Sequence, residues 1–316
     1  MTAHRIAIVG AGRMAQAHAG AWSRAGLGDA ISHVVSPRTR PQLEPAPHAR
    51  WVTRLDDVLA DEAVDIVSVC TPTPSHAEIA IEALRHGRNV LLEKPIALTV
   101  ADAEAVAEAA RRSAGVLMVA HVVRFMRRYA ELAERVADGS VGRPRAVRAA
   151  RLSSGPPSGS WFDDERSSGG ILVDFAIHDF DQANLLLGTP VAVRSVRAGG
   201  SGGESTGGFG APVATTVEYA GGGVAQVLSV ADLPADSAFH SGLEIVGTTG
   251  TDAIDSVDSG DPPDDPFLTQ ARYFLECVES RAEPRRCPTE GAIAALRVAL
   301  AARTSLASDA RVPLVD

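Results

Sequence analysis

The chain has 316 residues, more than one typical core accommodates and enough for two domains. Hydrophobic residues make up 45% and charged residues 22%, a globular composition, and no apolar run approaches the ~20 residues of a membrane-spanning helix. The net charge of −9 argues against nucleic acid as a partner, because nucleic acid favours a basic surface.

The start, Met1 to Ile6, lacks the apolar core of a signal peptide. Cys70, Cys277 and Cys287 are odd in number and scattered. This predicts reduced thiols in a cytoplasm, with no disulfide framework and no metal site.

Residues 5–9 read as a short buried strand. Gly10-Ala11-Gly12-Arg13-Met14-Ala15 follows directly, and a helix opens there with Met14, Ala17, Ala21 and Ala25 at helical spacing. Strand, glycine turn and helix are the context that a dinucleotide fingerprint requires. Gly10 permits the turn, and Gly12 lets the backbone approach a pyrophosphate. Ala15 keeps helix and strand close. The free N–H groups at the helix start face the phosphates. Gly10, Gly12, Arg13 and Met14 are therefore candidate cofactor contacts.

Residues 31–35 form a second strand, whose end selects between nicotinamide cofactors. An acid there binds the ribose 2′-hydroxyl of NAD. This chain has Ser36-Pro37-Arg38, with Arg40 nearby. A small hydroxyl with arginines suits a 2′-phosphate, so NADP is expected, with NAD as the alternative. Trp51-Val52 marks a third strand and residues 64–69 a fourth. The fourth ends in Cys70-Thr71-Pro72-Thr73-Pro74-Ser75-His76. Thr71, Pro72 and His76 thus leave a strand at its carboxyl end, where ligands of open α/β sheets bind. His76 reads equally as a surface residue of the next helix.

The fifth strand, residues 89–92, stops at Glu93-Lys94-Pro95. Pro95 holds Lys94 out of the helical region, so Lys94 and Glu93 stand at the rim of the expected cleft, as candidate cofactor contacts. A capping-box-like start at Thr99 leads a helix to about Ser113, and residues 115–120 form a sixth strand. The alternation predicts a doubly wound parallel Rossmann sheet over residues 1–121.

Residues 122–316 are expected to form an α+β domain with an open, mostly antiparallel sheet. Its strands are 144–152, 191–196, 213–219, 223–230 and 242–247. Gly199 to Gly210 reads as a loop between strands, and Trp161-Phe162 either lines a pocket or fills the core. A helix spans about Gly170 to Leu187. Asp174 and His178 are four apart on it and project from one face. Asp179 and Asp181 lie on other faces. Two helices close the chain, at about 267–280 and 290–308. An open sheet face needs cover, and a second subunit supplies it most simply, so a homo-oligomer (dimer or tetramer) is expected.

With GAGRMA at 10–15, CTPTPSH at 70–76, EKP at 93–95, HVVRF at 121–125 and GGILVDFAIHDFD at 169–181, the chain resembles the Gfo/Idh/MocA oxidoreductases. The resemblance implies a two-domain NAD(P)-dependent enzyme whose catalytic lysine is Lys94, with Asp174 and His178 as the Asp/His pair. The expected reaction is hydride transfer to or from a secondary alcohol or ketone of a sugar, an inositol-like polyol or a sugar derivative. Two rivals stay open. One is a dinucleotide sensor without chemistry, and the other is a redox-neutral glycosidase using bound NAD.

Overall fold

The computed structural model describes residues 4–38, 43–156, 159–199, 209–255 and 265–314. Arg40 and most of the expected glycine-rich loop, residues 200–208, lie outside them. The chain runs β1 (Ile6–Val9), α1 (Arg13–Trp22), β2 (Ile31–Val35), β3 (Arg50–Val52), α2 (Asp56–Leu59), β4 (Ile66–Val69), α3 (His76–Arg85), β5 (Asn89–Glu93), α4 (Val100–Arg112) and β6 (Leu117–Ala120). It continues with α5 (Arg127–Ala137), β7 (Pro144–Leu152), α6 (Glu165–Ser168), α7 (Ile177–Leu187), β8 (Pro190–Arg197), β9 (Val213–Tyr219), β10 (Val224–Val230), β11 (His240–Gly247) and β12 (Thr251–Asp255). The last elements are α8 (Pro266–Ser280), α9 (Thr289–Ser308) and β13 (Val312–Pro313). Two compact units result: Met1–Phe125 with Asp265–Ala292, and Met126–Asp264 with Ile293–Asp316.

In the first unit the strands pair in the order β3-β2-β1-β4-β5-β6, every pair parallel. Strands such as Ile6–Val9 and Ile66–Val69 are buried at every position. Such runs need cover on both faces, which crossover helices provide. The strand order reverses between β1 and β4, the switch point where open α/β sheets bind ligands. Beyond the strand ends, the Gly10 N–H donates to the Val35 carbonyl at 2.9 Å and the Cys70 N–H to the Val9 carbonyl at 2.7 Å.

Two expectations differ from the structure here. The sequence boundary near residue 121 leaves α8 in the second domain, whereas α8 belongs to the first unit. Ala271, Phe274 and Val278 share a core with Ile8, Ala15 and Trp22, and the Trp22 and Phe274 rings meet edge-on at 6.3 Å. A helical stripe reveals a buried face but not the sheet that buries it. The second difference is the stripe of α1. Its buried residues are Ala15, His18, Ala19, Ala21 and Trp22, not a line through Met14 and Ala17.

The second unit holds a seven-stranded sheet in the order β12-β11-β7-β10-β9-β8-β13. Only β7 and β10 run parallel; the remaining pairs are antiparallel, as the alternating strand patterns predict. Val147, Ala149 and Arg151 of β7 are buried, while Arg148 between them is exposed. Helix α7 packs on β7 and β10. On the outward-pointing positions, Val224, Leu228 and Val246 stay exposed.

The expected continuous helix over 170–187 is interrupted. Ile171–Phe175 is a π-helical segment in which the Ala176 N–H reaches back five residues to the Ile171 carbonyl, at 2.8 Å, before α7 begins. Gly169 and Gly170, at φ +80° and +67°, launch it. A Cβ on Gly169 would lie 2.5 Å from the Val173 Cβ.

Candidate functional site

The glycine turn fits a pyrophosphate on three counts. Gly10 has φ +121°, and a Cβ there would stand 2.5 Å from the Cys70 carbonyl oxygen, so the turn and the β4 loop approach as only glycine permits. At Gly12 a Cβ would meet nothing within 4 Å, which leaves open space where a ligand backbone must pass. No side chain caps the start of α1, so its first N–H groups and the positive end of its dipole remain available to an anion. Arg13 is exposed and Met14 half-buried beside it.

At the end of β2, Ser36 is buried and Arg38 exposed. The Ser36 N–H donates to the Val52 carbonyl at 3.0 Å, and its own carbonyl accepts from the Trp51 indole at 3.0 Å. Trp51 is 40% exposed and braces this loop, a role its residue type alone does not disclose. No acid occupies the segment Ser36-Pro37-Arg38.

Lys94 is half-buried at the end of β5, and its peptide bond to Pro95 is cis. Its two neighbours are each held by a buried histidine. On one side Glu93, 5% exposed, sits 2.9 Å from His18 Nε2 through Oε1, while Oε2 accepts the Lys94 N–H at 3.1 Å. Burial pulls the His18 pKa down, but the nearby Cys70 sulfur and Glu93 carboxylate outweigh it and raise it to about 10. Burial pushes Glu93 up, yet the His18 hydrogen bond and charge leave it below the usual carboxylate range. Within the pair, the carboxylate favours the protonated ring and the ring favours the ionised carboxylate. Both Glu93 oxygens are thus engaged within the protein.

On the other side of Lys94, His76 Nδ1 lies 2.8 Å from the Pro95 carbonyl and Nε2 lies 2.9 Å from the Thr71 carbonyl. His76 is 1% exposed. Burial holds its pKa below the ordinary imidazole value, against the pull of the two carbonyls. It ties the β4 loop to the Lys94 turn and is neither a surface residue nor exposed toward a cofactor. Within that loop, Thr71 is half-buried and accepts a hydrogen bond from Ser75 at 2.8 Å, and Pro72 is exposed.

A property of the whole chain singles out Lys94. Of 30 lysines and arginines, 29 are arginine, and Lys94 is the one lysine. At every other position where lysine or arginine stands, this chain uses arginine. Arginine does not give up its proton in proteins, whereas a lysine ammonium is compact and titrates when its surroundings change.

Asp174 and His178 belong to the second unit. Asp174, in the π-helical segment, is 9% exposed; His178, in the first turn of α7, is half-buried. The wider π turn between them changes their relative rotation from that of two residues four apart on a regular α-helix. The next residue, Asp179, is paired with Arg151 of β7 by hydrogen bonds of 2.9 Å to Nε and Nη2, both side chains almost fully buried. Asp179 is thus structural, and the pair anchors the turn that carries His178. Trp161 and Phe162 form a tilted pair with centroids 4.1 Å apart, and Phe162 leads on to Phe209 and Phe175.

Residues 4–121 match the family profile described as "Oxidoreductase family, NAD-binding Rossmann fold", and residues 129–252 match "GFO/IDH/MocA C-terminal domain". A myo-inositol 2-dehydrogenase of Thermotoga maritima is 31% identical over 191 residues, 59% of this chain and 56% of that protein. A scyllo-inositol 2-dehydrogenase (NAD(+)) of Bacillus subtilis is 30% identical over 142 residues, 45% of this chain and 41% of that protein. The matched stretch spans roughly half the length of these relatives. Over whole chains, the crystal structure of GenD2 from gentamicin A biosynthesis in complex with NAD aligns with a TM-score of 0.86 at 26% identity, covering 100% of this chain and 98% of that one.

Proposed function

The chain belongs to the GFO/IDH/MocA oxidoreductase family, and from that premise we propose that it transfers a hydride between a nicotinamide dinucleotide and a secondary alcohol or ketone of a sugar, polyol or sugar derivative. Lys94 carries the reading. A chain with 29 arginines keeps its single lysine at the carboxyl end of a Rossmann strand, between two histidine-held neighbours. That position asks for a group able to share a proton, which arginine cannot do.

When bound, the nicotinamide supplies the hydride acceptor or donor. Gly10, Gly12, Arg13 and Met14 hold the phosphates, and Thr71 and Pro72 line the neighbouring loop. In oxidation His178 takes the hydroxyl proton as hydride leaves the carbon, and in reduction it returns that proton. Lys94 hydrogen-bonds the same oxygen and stabilises the negative charge that develops on it. Asp174 orients His178 or holds a neighbouring substrate hydroxyl. Lys94 is also competent to carry the proton itself. The inositol dehydrogenases among the relatives support a polyol or sugar substrate.

Ser36 and the exposed Arg38 favour NADP over NAD, because a guanidinium matches a 2′-phosphate in charge and geometry. We also propose a homo-oligomer, dimer or tetramer, that covers the outer face of the second sheet. That face carries a groove of about 670 Å³ whose lining includes Arg148, Gln226, Leu228 and Glu244. Its Arg148–Glu244 pair, at 2.8 Å, offers both charges to a symmetric copy. Cys70, Cys277 and Cys287 form no disulfide, which fits a reducing cytoplasm.

The test is a fluorescence titration with NADPH and NADH followed by turnover on a panel of inositols and sugars. Binding without turnover on any polyol, sugar or sugar ketone favours the sensor. Redox-neutral glycoside cleavage with a retained dinucleotide favours the glycosidase.

A further inference from the structure

We propose that His18 and Glu93 are positioning residues for Lys94: their buried pair fixes the backbone from which the lysine projects. The inference rests on the reading of Lys94 given above.

Three elements converge on the pair. His18 comes from α1, the helix of the glycine turn. Ser68 comes from β4, and Glu93 ends β5. All three are at most 5% exposed. His18 Nδ1 lies 2.7 Å from Ser68 Oγ, and Nε2 donates to Glu93 Oε1 at 2.9 Å. The second Glu93 oxygen accepts the Lys94 N–H at 3.1 Å. Phe267 of α8 lies beside the His18 ring, with centroids 6.3 Å apart and the planes tilted by 56°. The chain of contacts runs without a gap from the dinucleotide helix to the Lys94 amide.

Stability alone gives no reason for a buried ion pair here, since packed apolar residues of similar size often serve as well or better. What an apolar pair cannot do is accept the Lys94 N–H. A carboxylate oriented by the ring N–H of His18 on a rigid helix can, and it sets the direction of the strand end. Cofactor seat and catalytic lysine are then held in one register, and misplacement by about 1 Å is enough to slow an enzyme about a hundredfold.

The test uses the full-length protein. Reductive methylation with isotopically labelled formaldehyde marks amines, and the only amines are Lys94 and the chain's amino terminus. In His18→Gln, and in the double variant His18→Leu/Glu93→Leu, the Lys94 signal is expected to shift and its titration midpoint to move. Turnover with NADP+ of the inositol or sugar that the wild type oxidises fastest falls about a hundredfold, while NADPH affinity holds. A purely structural pair behaves otherwise: the apolar double variant restores packing, and with it the wild-type signal. An unchanged Lys94 signal and titration in a folded variant overturns the proposal. The wild-type protein gives a second test that needs no variant. The Lys94 amide should exchange with solvent at least about tenfold more slowly than an unprotected amide, and exchange at the unprotected rate also overturns it. Lys94→Arg separates the two claims. Full turnover in Lys94→Arg sinks the reading of Lys94, whereas lost turnover there with an unaffected double variant sinks the positioning role alone.

Discussion

Arg151 grips Asp179 through two parallel hydrogen bonds, each 2.9 Å long, and so ties the first turn of α7 to the end of β7 in the second sheet. The guanidinium also lies 5.9 Å from the Phe175 ring centre and 5.8 Å from that of Phe239. His178 is the residue next to Asp179, so the pair sets where His178 stands. Removing one partner leaves a buried charge uncompensated. Arg151→Met is therefore expected to lower unfolding stability by about 3–5 kcal/mol, and Arg151→Met/Asp179→Leu to recover most of it. Chemical denaturation of the variants checks both.

The His18–Glu93 pair has a signature in pH. His18 is raised from 6.5 to about 10 in the folded protein, through the facing groups Cys70 and Glu93 against the opposing effect of burial. A raised pKa means that the folded state binds its proton more tightly than the unfolded state. The stabilisation is thus complete below pH 6.5 and is lost as pH climbs through about 10. The melting temperature of the wild type should fall across that window more steeply than that of His18→Leu/Glu93→Leu. Parallel slopes would show that His18 is neutral in the native protein.

Cofactor choice turns on Arg38. A charge-assisted hydrogen bond to a 2′-phosphate is worth about 1.5–3 kcal/mol, so Arg38→Ala should weaken NADPH binding by about 10- to 100-fold. NADH binding should hardly change. Parallel titrations decide the matter, and equal losses for both cofactors would remove Arg38 as the selector.

The outer sheet face gives an assembly prediction. Leu228 is 41% exposed, on a groove-lining position of β10. Leu228→Glu places a charge where a second copy would bury an apolar side chain, and it should yield monomers in light scattering while the wild type is oligomeric. A wild type that is monomeric at working concentration contradicts the proposed cover.

Much of this architecture is legible in the chain. Ile6–Val9, Ile66–Val69 and Asn89–Glu93 are apolar runs stopped by glycine, proline or charge, and doubly buried strands carry that pattern. Other features escape local pattern. The alanine-rich α1 has too little contrast to point out its buried face, so His18 reads as one polar residue among several. The π turn before α7 adds one residue to a single turn, and hydrophobic spacing does not register that. The assignment of α8 depends on which core receives Phe274, a long-range fact. Lys94 stands out twice: by the motif around it, and by the 29 arginines that leave it the sole lysine.

The most direct measurement is the turnover of Lys94→Arg beside the wild type, with NADP+ and NAD+ over a panel of inositols and sugars, together with NADPH affinity. The wild type should oxidise at least one of these alcohols. Lys94→Arg should bind NADPH normally and turn over about 10²- to 10⁴-fold more slowly, the range of a lost acid–base group. A Lys94→Arg enzyme that keeps its rate would contradict the account, because the only lysine of the chain would then be just another cation.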